Sequence, residues 1–433
     1  MAEQRAPRVA IACQGGGSHT AFTAGALSRL LSAPELAEHR IVGLSGTSGG
    51  AICALLAWAG LRDGDRARAV ALLGEFWEDN SARDPMDKLL NFWMVSAGVM
   101  QNLGLVPGIS PYAIPKHLGG MDAFRDLLSR HVDFERIGVD RNRVHPMLLL
   151  GAVDVLTGRF RTFDSHHDRI TADSVIASAA IPTLFRAVHV DGGTYWDGLF
   201  SQNPPVRNLM QNDPDELWVI QVNPQEVDRE PRTLTEIVDR RNELAGNLSL
   251  YQELGFIETI DKLLADGRLT PSAGYRQVTV RVIEMPRSAL PRYLGPASKL
   301  NRDPGFLEGL AEHGRDQADR FLSALAFERA WTARDVDAVL DSVSEEAMLV
   351  SEPPFPAWEG GGDWGRLRKF VEATFEQDIA IDLTHKQIAR DGATWSIRRR
   401  DGDGPATRGE AEVTFTGTRI DGIRLGPRRE QAR

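Results

Sequence analysis

Between residues 8 and 60 the chain reads strand, glycine loop, helix, strand, tight turn, helix, and this run constrains the fold more than any other feature. Arg8 to Cys13 is a short apolar run of buried-strand length. Gln14 to Ser18 is a glycine-rich loop, and Thr20 to Leu31 is apolar at helical spacing. Ile41 to Ser45 is a second strand, and Gly49 to Gly60 an apolar helix. Strands alternating with helices predict a mostly parallel sheet covered on both faces. The rhythm returns in strand-like runs at Met147 to Ala152, Leu217 to Val222 and Arg276 to Ile283. Helical patterns fill Thr233 to Leu264 and Pro304 to Leu325.

A different pattern closes the chain. Phe327 to Val343 reads as an amphipathic helix, followed by a strand at Ala347 to Val350. A Pro/Gly-rich loop spans Glu352 to Gly362, and a helix lies near Leu367 to Phe375. Alternating segments follow at Ile379 to Leu383, Ala393 to Arg398, Glu410 to Phe415 and Ile420 to Leu425. Helices followed by consecutive strands predict an α+β unit. The boundary is placed at 322–328, giving domains 1–325 and 326–433, as 433 residues exceed one ordinary domain.

Charge excludes some partners. With 50 Lys+Arg against 60 Asp+Glu, the net charge of −10 gives no general attraction for nucleic acid or anionic lipid. Any membrane contact must be local. Two cysteines, Cys13 and Cys53, cannot build a disulfide framework or a four-ligand zinc site, which favours a reducing compartment. The polar N-terminus carries no signal-peptide pattern, so the expected location is cytoplasmic, with peripheral membrane contact allowed. The uncharged stretches Ile41 to Leu61 and Leu89 to Pro115 are broken by glycines and prolines, and neither reads as a spanning helix. Leu89 to Pro115 holds Phe92, Trp93, Met94, Val95 and Met100, and has no cationic face; it reads as loop-rich core rather than as an interfacial lid.

Three motifs carry chemistry. Gly46-Thr47-Ser48-Gly49-Gly50 fits G-x-S-x-G between a strand and a helix, where a sharp turn lifts the serine hydroxyl clear of the backbone. The positive end of the following helix favours developing negative charge there. Gly15-Gly16-Gly17 also joins a strand to a helix, so its N–H groups can face an anion. No Lys follows as in a phosphate loop, and Thr20 stands where a dinucleotide fingerprint needs glycine. The competing reading is an oxyanion hole, favoured by the nucleophile-type turn downstream. The third motif runs from Tyr195 to Pro205, with Asp197-Gly198 as a candidate base or a loop cap. The only histidines after Asp197 are His313, inside a helical pattern, and His385, in the second domain. A Ser–Asp pair therefore fits better than a triad. Asp191-Gly192-Gly193 reads as the hairpin turn before it.

Cys13 to Leu27, Gly46 to Gly50, Ala177 to Phe185 and Trp196 to Pro205 together resemble bacterial patatin-like phospholipases, over roughly residues 7 to 320. The resemblance implies a parallel sheet flanked by helices and a lipid acyl hydrolase that needs no metal or cofactor. It makes Ser48 the nucleophile, Asp197 the base and Gly16 and Gly17 the oxyanion hole, with Gly15 beside them; Gly46, Gly50 and Gly198 are motif neighbours. The implied partner is a lipid or other acyl ester. The chain departs from the family at His19 and Thr20, where a basic residue and glycine are usual, and at Leu199, where a small residue is usual. Residues 326–433 resemble SnoaL-like, NTF2-like cone-shaped domains through Ala330 to Leu340, the 353–362 loop and Ile423 to Pro427. Such domains bind small apolar ligands, catalyse or form homodimers; no chemistry is assigned to this one. A carboxylesterase for small soluble esters and a non-catalytic lipid-binding scaffold are the alternative readings.

Overall fold

The computed structural model describes residues 5–102, 110–115, 120–182, 184–225, 227, 229–270, 274–286, 295–389, 392–399 and 407–427. The elements are, in order, β1 (Arg8–Cys13), α1 (Ala21–Ser32), β2 (Arg40–Gly46), α2 (Gly49–Arg62), α3 (Arg66–Asn80), α4 (Pro85–Asn102), α5 (Met121–His131), β3 (Met147–Asp154), β4 (Phe160–Asp164), α6 (Ala172–Ala179), β5 (Val188–Val190), β6 (Gly193–Asp197), β7 (Glu216–Gln221) and α7 (Leu234–Ala265). There follow β8 (Thr279–Glu284), α8 (Pro304–Ala333), α9 (Val336–Asp341), β9 (Val343–Ser351), β10 (Trp358–Gly361), α10 (Trp364–Glu376), β11 (Ile379–Ala389), β12 (Gly392–Arg399), β13 (Thr407–Thr416) and β14 (Arg419–Gly426). The chain divides into two compact units, residues 1–276 with 285–315, and 277–284 with 316–433. The compositional boundary at 322–328 falls within α8.

The first unit holds a sheet in the order β7-β1-β2-β3-β6-β5, with β4 also on β3. The four strands from β7 to β3 are parallel. β4 and β6 run antiparallel to β3, and β5 antiparallel to β6. The sheet is therefore mixed, which corrects the expectation of a mostly parallel one. The reason lies in the loops. β5 and β6 are joined by a two-residue turn, Asp191-Gly192, both with positive φ, and so short a link permits only an antiparallel pair. This is the hairpin turn read from the sequence.

Central strands carry continuous apolar runs because both their faces are covered. In β1 every residue from Val9 to Cys13 is buried. Helix α2 is buried nearly all round, from Gly49 to Trp58. The Trp58 indole donates to the Pro146 carbonyl at 2.6 Å, so its one polar atom is satisfied inside. Cys13 and Cys53 are both buried and free.

Helix α4 corrects the core reading of residues 89–115. Residues 85–102 form a helix, and Leu89, Leu90, Phe92, Trp93, Met94 and Met100 are exposed on it, whereas Asn91 and Val95 are buried. Residues 103–109 lie outside the described ones. Among the described residues no helix is long and apolar enough to cross a membrane.

The second unit is built on β10-β9-β14-β13-β12-β11-β8. Its pairs are antiparallel except β14 with β9 and β11 with β8. The loop expected at 352–362 contains β10, because Trp358 to Gly361 pair with Met348 to Ser351. The helical pattern from Phe327 to Val343 resolves into the end of α8 and the short α9. Phe327, Trp331, Phe375 and Trp395 stack in one aromatic cluster. Against it lies a buried ion pair: Glu328 accepts from Arg281 Nη1 at 2.6 Å and from the Trp395 indole at 2.9 Å.

Removing that carboxylate breaks the buried ion pair with Arg281 and the bond from the Trp395 indole, which typically costs about 3–5 kcal/mol. Glu328→Ala is therefore expected to lower amide protection along β12 in hydrogen exchange of the full chain. Unchanged protection would contradict this role for Glu328.

Candidate active site

The three motifs meet at the carboxyl ends of β1, β2 and β6, where open α/β sheets place their ligands. Cys13 pairs with Gly46, Gly46 with Leu150, and Ala152 with Asp197, so the register brings the strand ends together. Ser48 follows β2 and caps α2 with φ 58° and ψ −131°. A non-glycine residue in that region is strained by roughly 1–3 kcal/mol and is held there by its surroundings. The holding bonds are visible. Ser48 N–H donates to the Ser178 carbonyl at 3.0 Å, and Ser178 Oγ donates to the Gly151 carbonyl at 2.6 Å. Thr47 Oγ1 donates to the Gln202 carbonyl at 2.6 Å, which ties the turn to the Asp197 segment.

Asp197 ends β6. Its N–H donates to the Ala180 carbonyl at 3.0 Å, and its Oδ1 accepts from Leu199 N–H at 2.8 Å. Its Oδ2 is buried with no hydrogen-bond partner. Burial pushes the carboxyl up from its ordinary 3.8 to about 7, against the opposing effects of the Ser48 hydroxyl, the Leu199 amide and the Lys299 charge. Gly198 has no room for a side chain, as a Cβ there would lie 2.5 Å from the Gly151 carbonyl oxygen and 3.0 Å from Thr47 Cγ2.

The glycine loop lies against the same turn. A Cβ on Gly15 would stand 2.9 Å from Ser48 Cβ. Its N–H donates to Asn203 Oδ1 at 2.7 Å and is thereby occupied, while its carbonyl accepts from Asn223 Nδ2 at 3.3 Å. The N–H groups of Gly16 and Gly17 have no acceptor among the described residues. Gly17 takes φ +58°, a conformation glycine adopts without penalty. Gly46 and Gly50 let the turn close, since a Cβ on Gly50 would meet the Gln14 carbonyl oxygen at 2.6 Å.

Two departures from the usual glycine loop have local explanations. Thr20 is buried and its hydroxyl donates to the Gly17 carbonyl at 2.6 Å. His19 is buried, with Nε2 2.8 Å from Ser298 Oγ and its ring edge-on to Phe306. Burial holds it well below its ordinary pKa, so it is neutral. Leu199 packs its Cδ1 toward Gly246 on α7.

Sequence reasoning missed four polar residues here. Gln14 Oε1 accepts from the N–H groups of Val222 and Asn223, and its Nε2 donates to Asn247 Oδ1 at 2.8 Å. Asn223, just past β7, shares the strand-end position of Ser48 and could have been flagged by it. Lys299 carried no motif. Its Nζ donates to Asn223 Oδ1 at 2.9 Å, and its charge acts on Asp197. His313, set aside above as a base, lies on α8, and His167 Nδ1 sits 2.7 Å from Asp164 Oδ2. The side chain of His385 is outside the described ones.

A carboxyl with a raised folded pKa keeps its proton in the folded chain while the unfolded chain loses it. Between about pH 4 and 7 the unfolded state therefore binds fewer protons, and stability falls as pH rises through that window. Asp197→Asn removes the penalty. At about pH 8 it should unfold later than wild type by up to about 4 kcal/mol, with the gain vanishing near pH 4. Denaturant titrations at both pH values check this; a pH-independent difference would contradict it.

With that geometry in place, known proteins add the following. Residues 11–210 match the family model for patatin-like phospholipase. No curated protein matches the chain. Solved structures similar to part of it include a cystatin fold protein from Novosphingobium aromaticivorans, 16% identical over 24% of this chain and 96% of that one, TM-score 0.21. Others are NTF2-like proteins of unknown function from Mesorhizobium loti (19% identical, 25% of this chain, 89% of that one, TM-score 0.23) and Cytophaga hutchinsonii (8%, 24%, 87%, TM-score 0.20).

Proposed function

We propose that the chain is a serine lipid acyl hydrolase working through Ser48 and Asp197. The observation that carries this reading is a buried Asp197 carboxyl and a Ser48 hydroxyl on a strained strand-to-helix turn, brought to the same strand ends by the sheet register and the Thr47–Gln202 bond, with burial pushing the carboxyl up to about 7. A base poised near the working pH is what proton transfer from a hydroxyl requires.

Asp197 takes the Ser48 proton as Oγ attacks the ester carbonyl. The N–H groups of Gly16 and Gly17 stabilise the resulting oxyanion. The intermediate collapses, Asp197 returns the proton to the leaving alcohol, and Ser48 carries the acyl group. Water then attacks, Asp197 takes its proton, and a second collapse returns that proton to Ser48 Oγ and frees the fatty acid. Gly15 positions the loop rather than donating, since its N–H is already bonded to Asn203.

The exposed apolar face of α4 favours a lipid substrate over a small soluble ester, and Phe92 and Trp93 suit transient contact with a membrane surface. The non-catalytic scaffold loses its main motive, because His19, Thr20 and Leu199 each pack without removing a catalytic group.

Fatty-acid release from defined phospholipids, neutral lipids and short esters tests the reading. Ser48→Ala is expected to lose more than about 10³-fold in turnover. Wild-type kcat/KM should rise with pH through about 7 as Asp197 loses its proton. Equal release by wild type and Ser48→Ala would reject the proposal.

A further inference from the structure

Asn223 does not use its side chain to hold its own place. Its N–H donates to Gln14 Oε1 at 2.9 Å, and its carbonyl accepts from Gln221 Nε2 at 2.8 Å and from Asn247 Nδ2 at 3.2 Å. Those bonds fix the chain just past β7. The buried side-chain amide makes two others: Oδ1 accepts from Lys299 Nζ at 2.9 Å, and Nδ2 donates to the Gly15 carbonyl at 3.3 Å. An ammonium only donates and a carbonyl oxygen only accepts, so the amide fits one way round. Turned over, it would set a donor against a donor and an acceptor against an acceptor.

The bond to Gly15 matters because of what the same peptide unit carries. The Gly15–Gly16 peptide is planar and trans, so its C=O and N–H point to opposite sides. Holding the carbonyl on Asn223 therefore aims the Gly16 N–H away from Asn223, and that N–H has no acceptor among the described residues. A peptide between two glycines turns over at little cost, since no Cβ resists the new φ and ψ. An oxyanion donor must instead be fixed before charge develops. Gly15 is held on both sides: its N–H donates to Asn203 Oδ1 at 2.7 Å, and its carbonyl accepts from Asn223. Asn203 thus fixes the preceding peptide unit, and Asn223 the one that carries the Gly16 N–H.

We infer that Asn223 is a positioning residue for the oxyanion hole, holding the Gly15–Gly16 peptide with its N–H toward the reacting carbonyl, and that Lys299 acts through it by fixing which way the amide faces. This deepens the hydrolase reading and rests on it. The two bonds lie in series, so the ammonium also polarises the amide and strengthens its donation to Gly15. Lys299 touches no reacting atom in this role.

The test is steady-state kinetics on the full-length protein, with the ester that wild type turns over fastest among defined phospholipids, neutral lipids and p-nitrophenyl esters. Asn223→Asp has the same shape and keeps an acceptor for Lys299, but offers the Gly15 carbonyl only another acceptor. Its kcat should fall about 10²-fold with KM changed less than about threefold, the mark of an interaction made in the transition state. It should melt no earlier than wild type, since its carboxylate gains Lys299 as an ion-pair partner. Lys299→Met should lose about tenfold in kcat and Lys299→Arg much less. In an Asn223→Ala background, or Asn223→Ser if that melts early, Lys299→Met should add little, because the lysine works through the amide. A crystal structure of Asn223→Asp should show the Gly15–Gly16 peptide turned from its wild-type plane. Wild-type kcat in folded Asn223→Asp, fully additive losses in the double variant, or an unturned peptide would each overturn the inference. Failure of the hydrolase reading shows separately, as a wild-type chain that releases no acid from any ester, and the peptide plane then still tests the clamp.

Discussion

A carboxyl kept away from water beside a hydroxyl governs the rest of this structure. Asp197 has one oxygen held by the Leu199 amide and the other without a partner, and it is almost wholly buried. A folded chain accepts such a cost only where the surroundings enforce it. Here they do so through β6, whose N–H at Asp197 is fixed to Ala180, and through the Thr47 bond to Gln202 that closes the serine turn onto the same segment. The strain at Ser48 and the tight glycine contacts serve the same end. They bring a hydroxyl, a carboxyl and unpaired backbone N–H groups to one edge of the sheet.

Charge at the site is arranged around that carboxyl. The glycine loop carries a neutral histidine where a fixed cation is usual, and Lys299 supplies positive charge from another segment. The two features are linked by the His19–Ser298 contact, so the loop and the lysine segment form one polar assembly with Asn223 between them.

Much of this was legible in the residues. The strand ends that carry Ser48, Asp197 and the glycine loop were legible because local patterning changes there abruptly from apolar run to small residues. The Asp191-Gly192 turn was legible because two residues able to take positive φ separate two short strands. The antiparallel half of the first sheet was harder to see, because strand direction depends on where connections return rather than on apolar periodicity. Lys299 was invisible for a related reason: it belongs to no motif and follows no strand, and only tertiary packing carries it to the glycine loop, whereas Asn223 had only its place past the end of β7 to mark it. Helix α4 was misread because uncharged sequence suggests burial, whereas its apolar side chains face outward. The helix read from Phe327 to Val343 failed at its edges, since α8 passes through the expected boundary and stops only at Ala333.

The account depends on Ser48 being an activated nucleophile, and covalent trapping tests that most directly. A fluorophosphonate probe incubated with the full-length protein, followed by peptide mapping, should place the adduct on Ser48 in wild type and leave Asp197→Asn unlabelled over the same time. An unlabelled Ser48 in folded wild-type protein, or equal labelling in Asp197→Asn, would contradict it.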